Sequence, residues 1–143
     1  MNNCKLSIVI SCYNAEATIN KCINSVFNAL NNFNGLDSCK IIVINDGSND
    51  KTLDIINQIN GIKIINHDTN LGISATRNSG IYASDSDYII FVDSDVLLTK
   101  NWITNIFLSI NKNDDVVGVT VVITNTTTGE VVYSYGFPYQ ETE

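Results

Sequence analysis

The amino-acid sequence predicts an α/β domain built on a largely parallel β-sheet. Two hydrophobic patterns alternate along its 143 residues. Short β-branched apolar runs are typical of buried strands, and apolar residues that recur every three or four positions are typical of helices packed on a sheet. Such alternation is characteristic of parallel sheets. The length suits a single domain, residues 1–143, and the hydrophobic fraction of 44% is ordinary for a globular protein.

The first half of the chain predicts three strands and two helices. Residues 5–12 form the first strand, and the helical stripe that follows it consists of Ile19, Cys22, Ile23, Val26, Phe27 and Leu30. Residues 40–45 carry an unbroken apolar run, which predicts a strand covered on both faces. The turn at 46–50 is rich in residues that cap helices. The next helix is marked by Leu53, Ile56 and Ile59 and ends at Gly61, before a third strand at 62–65.

The second half continues the alternation and then changes character. A polar loop at 66–72 precedes a helix over about 74–83 and a fourth strand at 88–92. The last helical stripe consists of Trp102, Ile103, Ile106, Phe107 and Ile110. Residues 116–123 and 131–135 predict two further strands, with Thr128-Gly129 as a hairpin turn between them.

Charge, cysteine content and hydropathy exclude several classes of protein. The formal net charge of −7 argues against a nucleic-acid partner, because phosphate binding needs clustered Lys and Arg. The four cysteines have neither zinc spacing nor histidine partners, so we expect buried, reduced thiols. We see no signal peptide, and no run approaches the ~20 apolar residues of a membrane span. These features predict a cytoplasmic protein.

Polar residues follow directly after three of the predicted strands. Tyr13 and Asn14 follow the first strand, Asp46 the second, and Asp93 and Asp95 the fourth. Ligands of open α/β sheets bind outside the carboxyl ends of the strands, and these side chains meet there if the strand order is 3-2-1-4. Packed carboxylates repel one another unless a cation neutralises them, and oxygen ligands suit Mg²⁺ or Mn²⁺. The sequence therefore predicts a divalent-metal site at this edge.

The tripeptide Asp-Ser-Asp occurs twice, at residues 85–87 and 93–95. The first copy stands before the fourth strand and the second copy after it. Five strand residues separate them by roughly 17 Å. We therefore expect the first copy to be a solvated turn at the opposite end of the sheet.

Four segments of the chain resemble family 2 glycosyltransferases. They are SIVISCYNAE at 7–16, IVINDGSNDKT at 42–52, NLGISATRNSG at 70–80 and YIIFVDSD at 88–95. The first resembles the family's opening strand and turn, the second its acid-Gly-Ser motif, the third its Asn-x-Gly…Ala-x-Arg-Asn-x-Gly helix, and the fourth its metal-site strand with the Asp-x-Asp (DXD) motif. The four lie in the family's order and cover nearly all of residues 6–96.

The resemblance implies a GT-A fold, which is a Rossmann-like, mostly parallel sheet flanked by helices. It also implies a nucleotide-diphospho-sugar donor, often a uridine one, and Mn²⁺ or Mg²⁺. Asp46 would accept a hydrogen bond from the base, and Tyr13 would lie against its ring. Asp95 would ligate the metal directly, and Asp93 would face the ribose, or the metal through water. The nucleotide-binding residues implied are Ser11, Tyr13, Asn14, Asp46, Gly72, Arg77, Asp93 and Ser94.

A reaction is implied as well. The metal would stabilise the departing diphosphate, and the sugar would pass, with inversion, to a hydroxyl of a glycan or lipid-linked acceptor. The setting would be polysaccharide biosynthesis in the cytoplasm, or peripherally at the inner face of the membrane.

Four further residues bear on the predicted site. Three of them have alternative interpretations, and the fourth has one. Arg77, the only arginine, supports the nucleotide or pairs with an acid of the metal motif, or is an ordinary solvated helix residue. Gly72 is a backbone approach point near the base, or a plain turn glycine. Gly80 is a helix–sheet contact, or a tolerated helix glycine. His67, the only histidine, has no acid at a useful spacing and is interpreted as an ordinary loop residue.

The chain departs from the family pattern in places. Ser11 stands where proline is frequent, Asn45 replaces the first acid of the second-strand pair, and Val96 replaces a third acid after the metal motif. Family members place their general base and much of the acceptor pocket well beyond that motif, so we expect this chain to be truncated on the acceptor side. Its remaining acids match no base motif, and no base is predicted: Asp114, Asp115, Glu130, Glu141 and Glu143.

The main alternative is a non-catalytic nucleotide-sugar-binding domain that lacks the base. A nucleotidyltransferase needs a glycine-rich basic loop after the first strand, and a receiver domain needs an acid pair there; residues 11–16 have neither. The absence of GxGxxG argues against a dinucleotide-binding oxidoreductase. A sheet edge left open after Tyr135 would favour a homo-oligomer.

Overall fold

A computed structural model of the chain describes residues 5–33, 38–110, 122–124 and 131–134. The chain forms two compact units, Met1–Ile103 and Thr104–Glu143, and each is described by itself. The single domain expected from the sequence stays a prediction. In chain order the elements are β1 (Lys5–Cys12), α1 (Ile19–Leu30), β2 (Ser38–Asp46), α2 (Thr52–Asn57), β3 (Ile62–His67), α3 (Ile73–Ala83), β4 (Tyr88–Asp93), α4 (Trp102–Ile110), β5 (Val122–Thr124) and β6 (Val131–Ser134).

The first unit is built on a four-stranded sheet of order β3-β2-β1-β4, in which every neighbouring pair is parallel. This is the predicted order. The registers pair Ser11 with Asp93 and Asp46 with His67, so the strands end together at one edge. The functional residues predicted after the strands therefore lie along a single rim.

The two central strands form the core of the sheet. In β1 the side chains from Leu6 to Ile10 are buried, and in β2 burial is continuous from Ile41 to Asp46, as an unbroken apolar run predicts. The apolar stripe of α1 covers the core with its buried residues Ile19, Cys22, Ile23, Val26 and Ala29. The outer strands β3 and β4 are only partly buried.

Element boundaries differ from the predicted ones mainly at strand ends. β3 continues through Asn66 and His67, because these residues extend the parallel ladder opposite Asn45 and Asp46. Ladder hydrogen bonds are made by the main chain, so polar side chains do not end the strand. α2 ends at Asn57, and i→i+3 bonds from Gln58 and Ile59 close its last turn.

Gly80 is the contact point between α3 and β1, as predicted. It is buried, and a Cβ atom built there would lie 2.3 Å from Cγ1 of Val9. Real Cβ contacts are essentially never that short, so any larger residue must displace the Val9 side chain or the helix itself.

Gly80→Ala is therefore expected to destabilise the chain by about 2 kcal/mol, the cost of overpacking a filled core. The sign is informative, because alanine is otherwise better than glycine in a helix by ~1 kcal/mol. Urea unfolding followed by circular dichroism measures the change. Ser74→Ala, at an exposed position of the same helix, is the matched control. A Gly80→Ala chain as stable as the wild type would contradict the contact.

The first Asp-Ser-Asp copy lies at the opposite end of the sheet, as predicted. Asp85 pairs with Lys40, and the Asp87 carboxylate accepts a hydrogen bond from the Lys5 N–H. The Ser86 hydroxyl is 2.8 Å from that of Ser7, which is buried. The Lys40 hydrogen bond lowers the pKa of Asp85. This turn is thus tied to the strand starts and is not merely solvated.

The described cysteines fit the expectation of reduced thiols. Cys12 and Cys22 are buried, Cys39 is partly buried, and all three are free. Burial raises the pKa of Cys12 and Cys22 to about 12, so both thiols stay protonated at neutral pH. Within the described ranges, no helix is both long and apolar enough to cross a membrane.

In the second unit, β5 and β6 pair antiparallel, with Ile123 opposite Tyr133. This agrees with the two predicted strands. Residues 116–121, the Thr128-Gly129 turn and Tyr135 lie outside the described residues, as do the five late acids considered for a base.

Candidate functional site

Two adjoining pockets open at the carboxyl edge of the sheet. The larger, called here the acid pocket, has a volume of about 470 Å³, and its lining includes Ser11, Tyr13, Asn14, Arg77, Asp93, Ser94 and Asp95. The smaller, the Asp46 pocket, has a volume of about 140 Å³, and its lining includes Asp46, Asn70, Gly72 and Thr76. Ser11, Tyr13 and Ile73 line both. Every nucleotide- and metal-binding residue predicted from the sequence lies in one of these pockets.

The two aspartates of the acid pocket stand on one tight turn. β4 ends at Asp93, and a hydrogen bond of 3.1 Å from the Val96 N–H to the Asp93 carbonyl closes the turn. The Cys22 thiol, 3.5 Å from the same carbonyl, links the turn to α1. Both carboxylates are exposed. They can therefore bind a cation in the pocket without the cost of ionising a buried acid.

Arg77 lies beside this turn. Its Nη2 atom is 3.6 Å from Oδ1 of Asp93, and its guanidinium carbon is 5.6 Å from the centroid of the Phe91 ring. The structure thus shows pairing with an acid of the metal motif, and support of the nucleotide stays a prediction. Both partners are about half exposed, so the ion pair is worth at most ~1 kcal/mol. Such a weak pair can be exchanged for a bound anion.

Asp46, unlike Asp93 and Asp95, is buried, with only 3% of its surface exposed. Its Oδ1 atom accepts the Leu71 N–H at 3.0 Å, and Oδ2 accepts the Gly72 N–H at 2.8 Å. Burial disfavours its charge, but the hydrogen bonds from Leu71, His67 and Gly72 outweigh burial and lower the pKa of Asp46. The carboxylate is therefore ionised and fixed at neutral pH.

The interpretation of His67 as an ordinary loop residue is wrong. Its Nδ1 atom is 2.6 Å from Oδ1 of Asp46, and its Nε2 atom is 2.8 Å from Oγ of Ser79. His67 ends β3 directly opposite Asp46 in the parallel register, so the acid is adjacent in space although 21 residues away in sequence. Extending the third predicted strand by two residues would have revealed the pair.

The turns that follow β1 and β2 are joined by reciprocal hydrogen bonds. Asn14 has a φ of 47°, and its side-chain oxygen accepts the Asn49 N–H at 2.8 Å. The Ser48 hydroxyl accepts the Asn14 N–H, and the Thr52 hydroxyl accepts the Ala15 N–H. Asn14 thus shapes the rim of the acid pocket while its own side-chain oxygen is already engaged.

Glu16 and Asp50 complete this junction, a role that the sequence interpretation missed. Glu16 accepts the Lys51 N–H at 2.9 Å, and Asp50 accepts the Glu16 N–H at 3.1 Å. Partial burial opposes the charge of Asp50, but hydrogen bonds from Thr52 and Glu16 outweigh it and lower its pKa. Both acids lie within the quoted motifs, and their engagement with backbone N–H groups makes them structural.

Two glycines shape the Asp46 pocket. Gly47 has a φ of +68°, and a Cβ atom there would lie 2.5 Å from the carbonyl carbon of Thr69. Gly72 has a φ of +87° with open space around it, so its requirement is conformational. Its N–H faces Asp46. These features fit a turn glycine, and its interpretation as a backbone approach point near the base stays a prediction.

The arrangement can be compared with known proteins. The family model described as "Glycosyl transferase family 2" matches residues 7–142. A Haemophilus influenzae protein named "Uncharacterized glycosyltransferase" is 36% identical over 121 residues, which cover 81% of this chain and 36% of that protein. The poly(ribitol-phosphate) beta-glucosyltransferase of Bacillus spizizenii is 38% identical over 96 residues, covering 64% of this chain and 15% of that enzyme.

The chain also resembles solved structures. Residues 1–349 of S. aureus TarS, crystallised in complex with UDP, match with a TM-score of 0.64 and 25% identity, covering 77% of this chain and 33% of that one. The chain thus spans about a third of the solved TarS fragment and between 26% and 40% of three curated relatives that it matches. Its described sheet and helices have the α/β arrangement of the GT-A fold. By sequence and by fold, the chain belongs to glycosyl transferase family 2.

Proposed function

We propose that this chain is the donor-binding part of a glycosyltransferase that moves a sugar from a uridine-diphosphate sugar to an acceptor hydroxyl, with Mn²⁺ or Mg²⁺. The observation that carries the proposal is the meeting of the Asp46 pocket and the acid pocket at one rim, with Tyr13 lining both. A nucleotide placed across this junction has its base at Asp46 and its diphosphate at Asp93 and Asp95.

A uracil base suits the smaller pocket. Asp46 is an ionised acceptor, and the N3 atom of uracil carries a proton that a carboxylate can accept in a hydrogen bond. Tyr13, 46% exposed at the junction, offers its ring as a stacking surface. TarS, which has the same fold, has been solved with UDP and with UDP-GlcNAc.

A divalent cation suits the acid pocket. Within the described part of the chain, no group of three or more His, Cys, Asp or Glu side chains could hold a metal. Asp93 and Asp95 supply two carboxylates, which matches Mg²⁺-type sites completed by substrate phosphates and water. When bound, the cation would supply Lewis-acid stabilisation of the diphosphate leaving group. Arg77 would exchange its weak pair with Asp93 for a phosphate oxygen.

The names of two relatives support the proposal for the acceptor. One is named for glucosyl transfer to poly(ribitol-phosphate), and another, 29% identical over 136 residues, is the minor teichoic acid biosynthesis protein GgaB of Bacillus subtilis. We propose a hydroxylated polymer or lipid-linked glycan as acceptor, with inversion at the sugar carbon, in the cytoplasm at the inner face of the membrane. A non-catalytic binding domain is less favoured, because several matched relatives are named glycosyltransferases.

Calorimetric titration of the wild-type chain with UDP and GDP, each with and without Mn²⁺, tests the proposal. We expect UDP to bind at least about tenfold more tightly with Mn²⁺ than without it, and more tightly than GDP. Equal UDP affinity with and without metal, or no binding at all, would contradict the proposal.

A further inference from the structure

A line of three polar side chains runs from the Asp46 pocket to helix α3. His67 lies in the middle, with Nδ1 on Asp46 and Nε2 on Ser79. The side chains of His67 and Asp46 are only 9% and 4% exposed. Asp46 lines the pocket, whereas His67 and Ser79 are absent from the lining of both pockets. His67 can therefore reach a bound nucleotide only through Asp46.

The hydrogen bonds leave Asp46 with one open acceptor position on Oδ2. Each carboxylate oxygen has two lone-pair directions. Oδ1 already accepts from His67 at 2.6 Å and from the Leu71 N–H at 3.0 Å, so both of its positions are used. Among the described residues, only the Gly72 N–H donates to Oδ2, at 2.8 Å. A base that donates to Asp46 must therefore use Oδ2.

We infer that His67 is a positioning residue that makes this site prefer uracil over cytosine, an inference that rests on the proposed function. Its Nδ1–H group, together with Leu71, holds Oδ1 and so directs the open lone pair of Oδ2 at the base. Uracil presents the N3 proton to that lone pair. Cytosine has an unprotonated acceptor at N3, which would face a carboxylate that cannot turn away.

Asp46 sets the proton arrangement of the histidine ring, and Ser79 completes it. An ionised Asp46 can only accept, so Nδ1 must carry a proton. In the neutral ring Nε2 is then an acceptor, and the Ser79 hydroxyl donates to it. The acceptor-only carboxylate thus fixes which ring nitrogen carries the proton, and the Ser79 hydroxyl, which can donate or accept, holds the other nitrogen from α3.

Two amide substitutions separate this role from simple packing. Asparagine places its side-chain nitrogen close to the position of Nδ1, and glutamine places its nitrogen close to that of Nε2. His67→Asn therefore keeps a donor to Asp46, whereas His67→Gln keeps only the contact to Ser79. Both variants are neutral amides that differ by one methylene group.

Titration of the wild type and both variants with UDP and CDP in Mn²⁺ measures the ratio of the two affinities. The ratio should stay within about threefold of the wild type in His67→Asn and fall about tenfold in His67→Gln, the effect of losing one hydrogen bond to a charged group. Thermal unfolding of each variant reports whether the fold is intact. Equal ratios in all three proteins would overturn the inference and leave the proposed function standing. A wild type that binds no UDP would overturn both.

The protonation of the two His67 ring nitrogens can also be measured directly in the wild type. His67 is the only histidine, so long-range ¹H–¹⁵N spectra of an untagged chain report its ring without ambiguity. We expect a protonated Nδ1, in the free protein and with UDP bound. A neutral ring protonated only at Nε2 would overturn the inference, even if a variant failed to fold.

Discussion

Asp95→Ala is expected to weaken Mn²⁺-dependent UDP binding by about 100-fold or more. Loss of a group that merely orients a metal ligand costs about 10- to 100-fold in metal affinity, so loss of a ligand itself should cost at least as much. The effect should be large because the described part of the acid pocket offers only Asp93 as a second carboxylate. Calorimetric titration with UDP at fixed Mn²⁺ measures it.

The repeated tripeptide provides a matched control for this substitution. Asp85→Ala removes the same charge from the first Asp-Ser-Asp copy, at the opposite end of the sheet. Its pair with Lys40 is exposed and screened by water, so fold and nucleotide binding should survive its loss. Equal losses of UDP affinity in the two variants would show that Asp95 acts through net charge alone and holds no metal.

Asp46→Ala should weaken UDP binding by about 10- to 100-fold and leave the affinity for free Mn²⁺ unchanged. The nucleotide loses one hydrogen bond to a charged acceptor, worth about 1.5–3 kcal/mol. The proposed metal ligands, Asp93 and Asp95, line the other pocket, and the hydrogen bond that closes their turn does not involve Asp46. Titrations with UDP and with Mn²⁺ alone, the latter followed by the electron paramagnetic resonance of the free ion, separate the two affinities.

The Asp46 substitution also removes the acceptor for two backbone N–H groups, those of Leu71 and Gly72. Some stability should be lost as well, so thermal unfolding must confirm that the variant is folded at the titration temperature. Asp68→Ala, which removes an exposed acid from the loop that carries Leu71 and Gly72, is the control for charge. Parallel loss of UDP and Mn²⁺ affinity in Asp46→Ala would show that the two pockets do not divide the ligand as proposed.

Much of the fold could be predicted from hydrophobic pattern alone. The unbroken apolar runs of β1 and β2 identified the central strands, and their burial on both faces follows from helices lying on each side of a parallel sheet. Carboxylates at strand ends then predicted the rim. The order β3-β2-β1-β4 brings Asp46 and Asp95 to adjoining pockets that share Tyr13.

What could not be predicted depends on register and on polar side chains that pair across the sheet. His67 meets Asp46 only because β3 continues for two polar residues beyond its apolar run. Glu16 and Asp50 were given no role from the sequence, yet each accepts a backbone N–H across the junction of two turns. Spacing along the chain carries no information about such contacts, which span 34 or 35 residues.

A crystal structure of the chain with UDP and Mn²⁺ is the most direct test of the claim that one nucleotide spans the two pockets. We expect the uracil ring beside Tyr13 with its N3 atom within hydrogen-bonding distance of Oδ2 of Asp46, and the cation between Asp95 and the diphosphate. A nucleotide bound away from these two pockets, or a cation that touches neither Asp93 nor Asp95, would contradict the account.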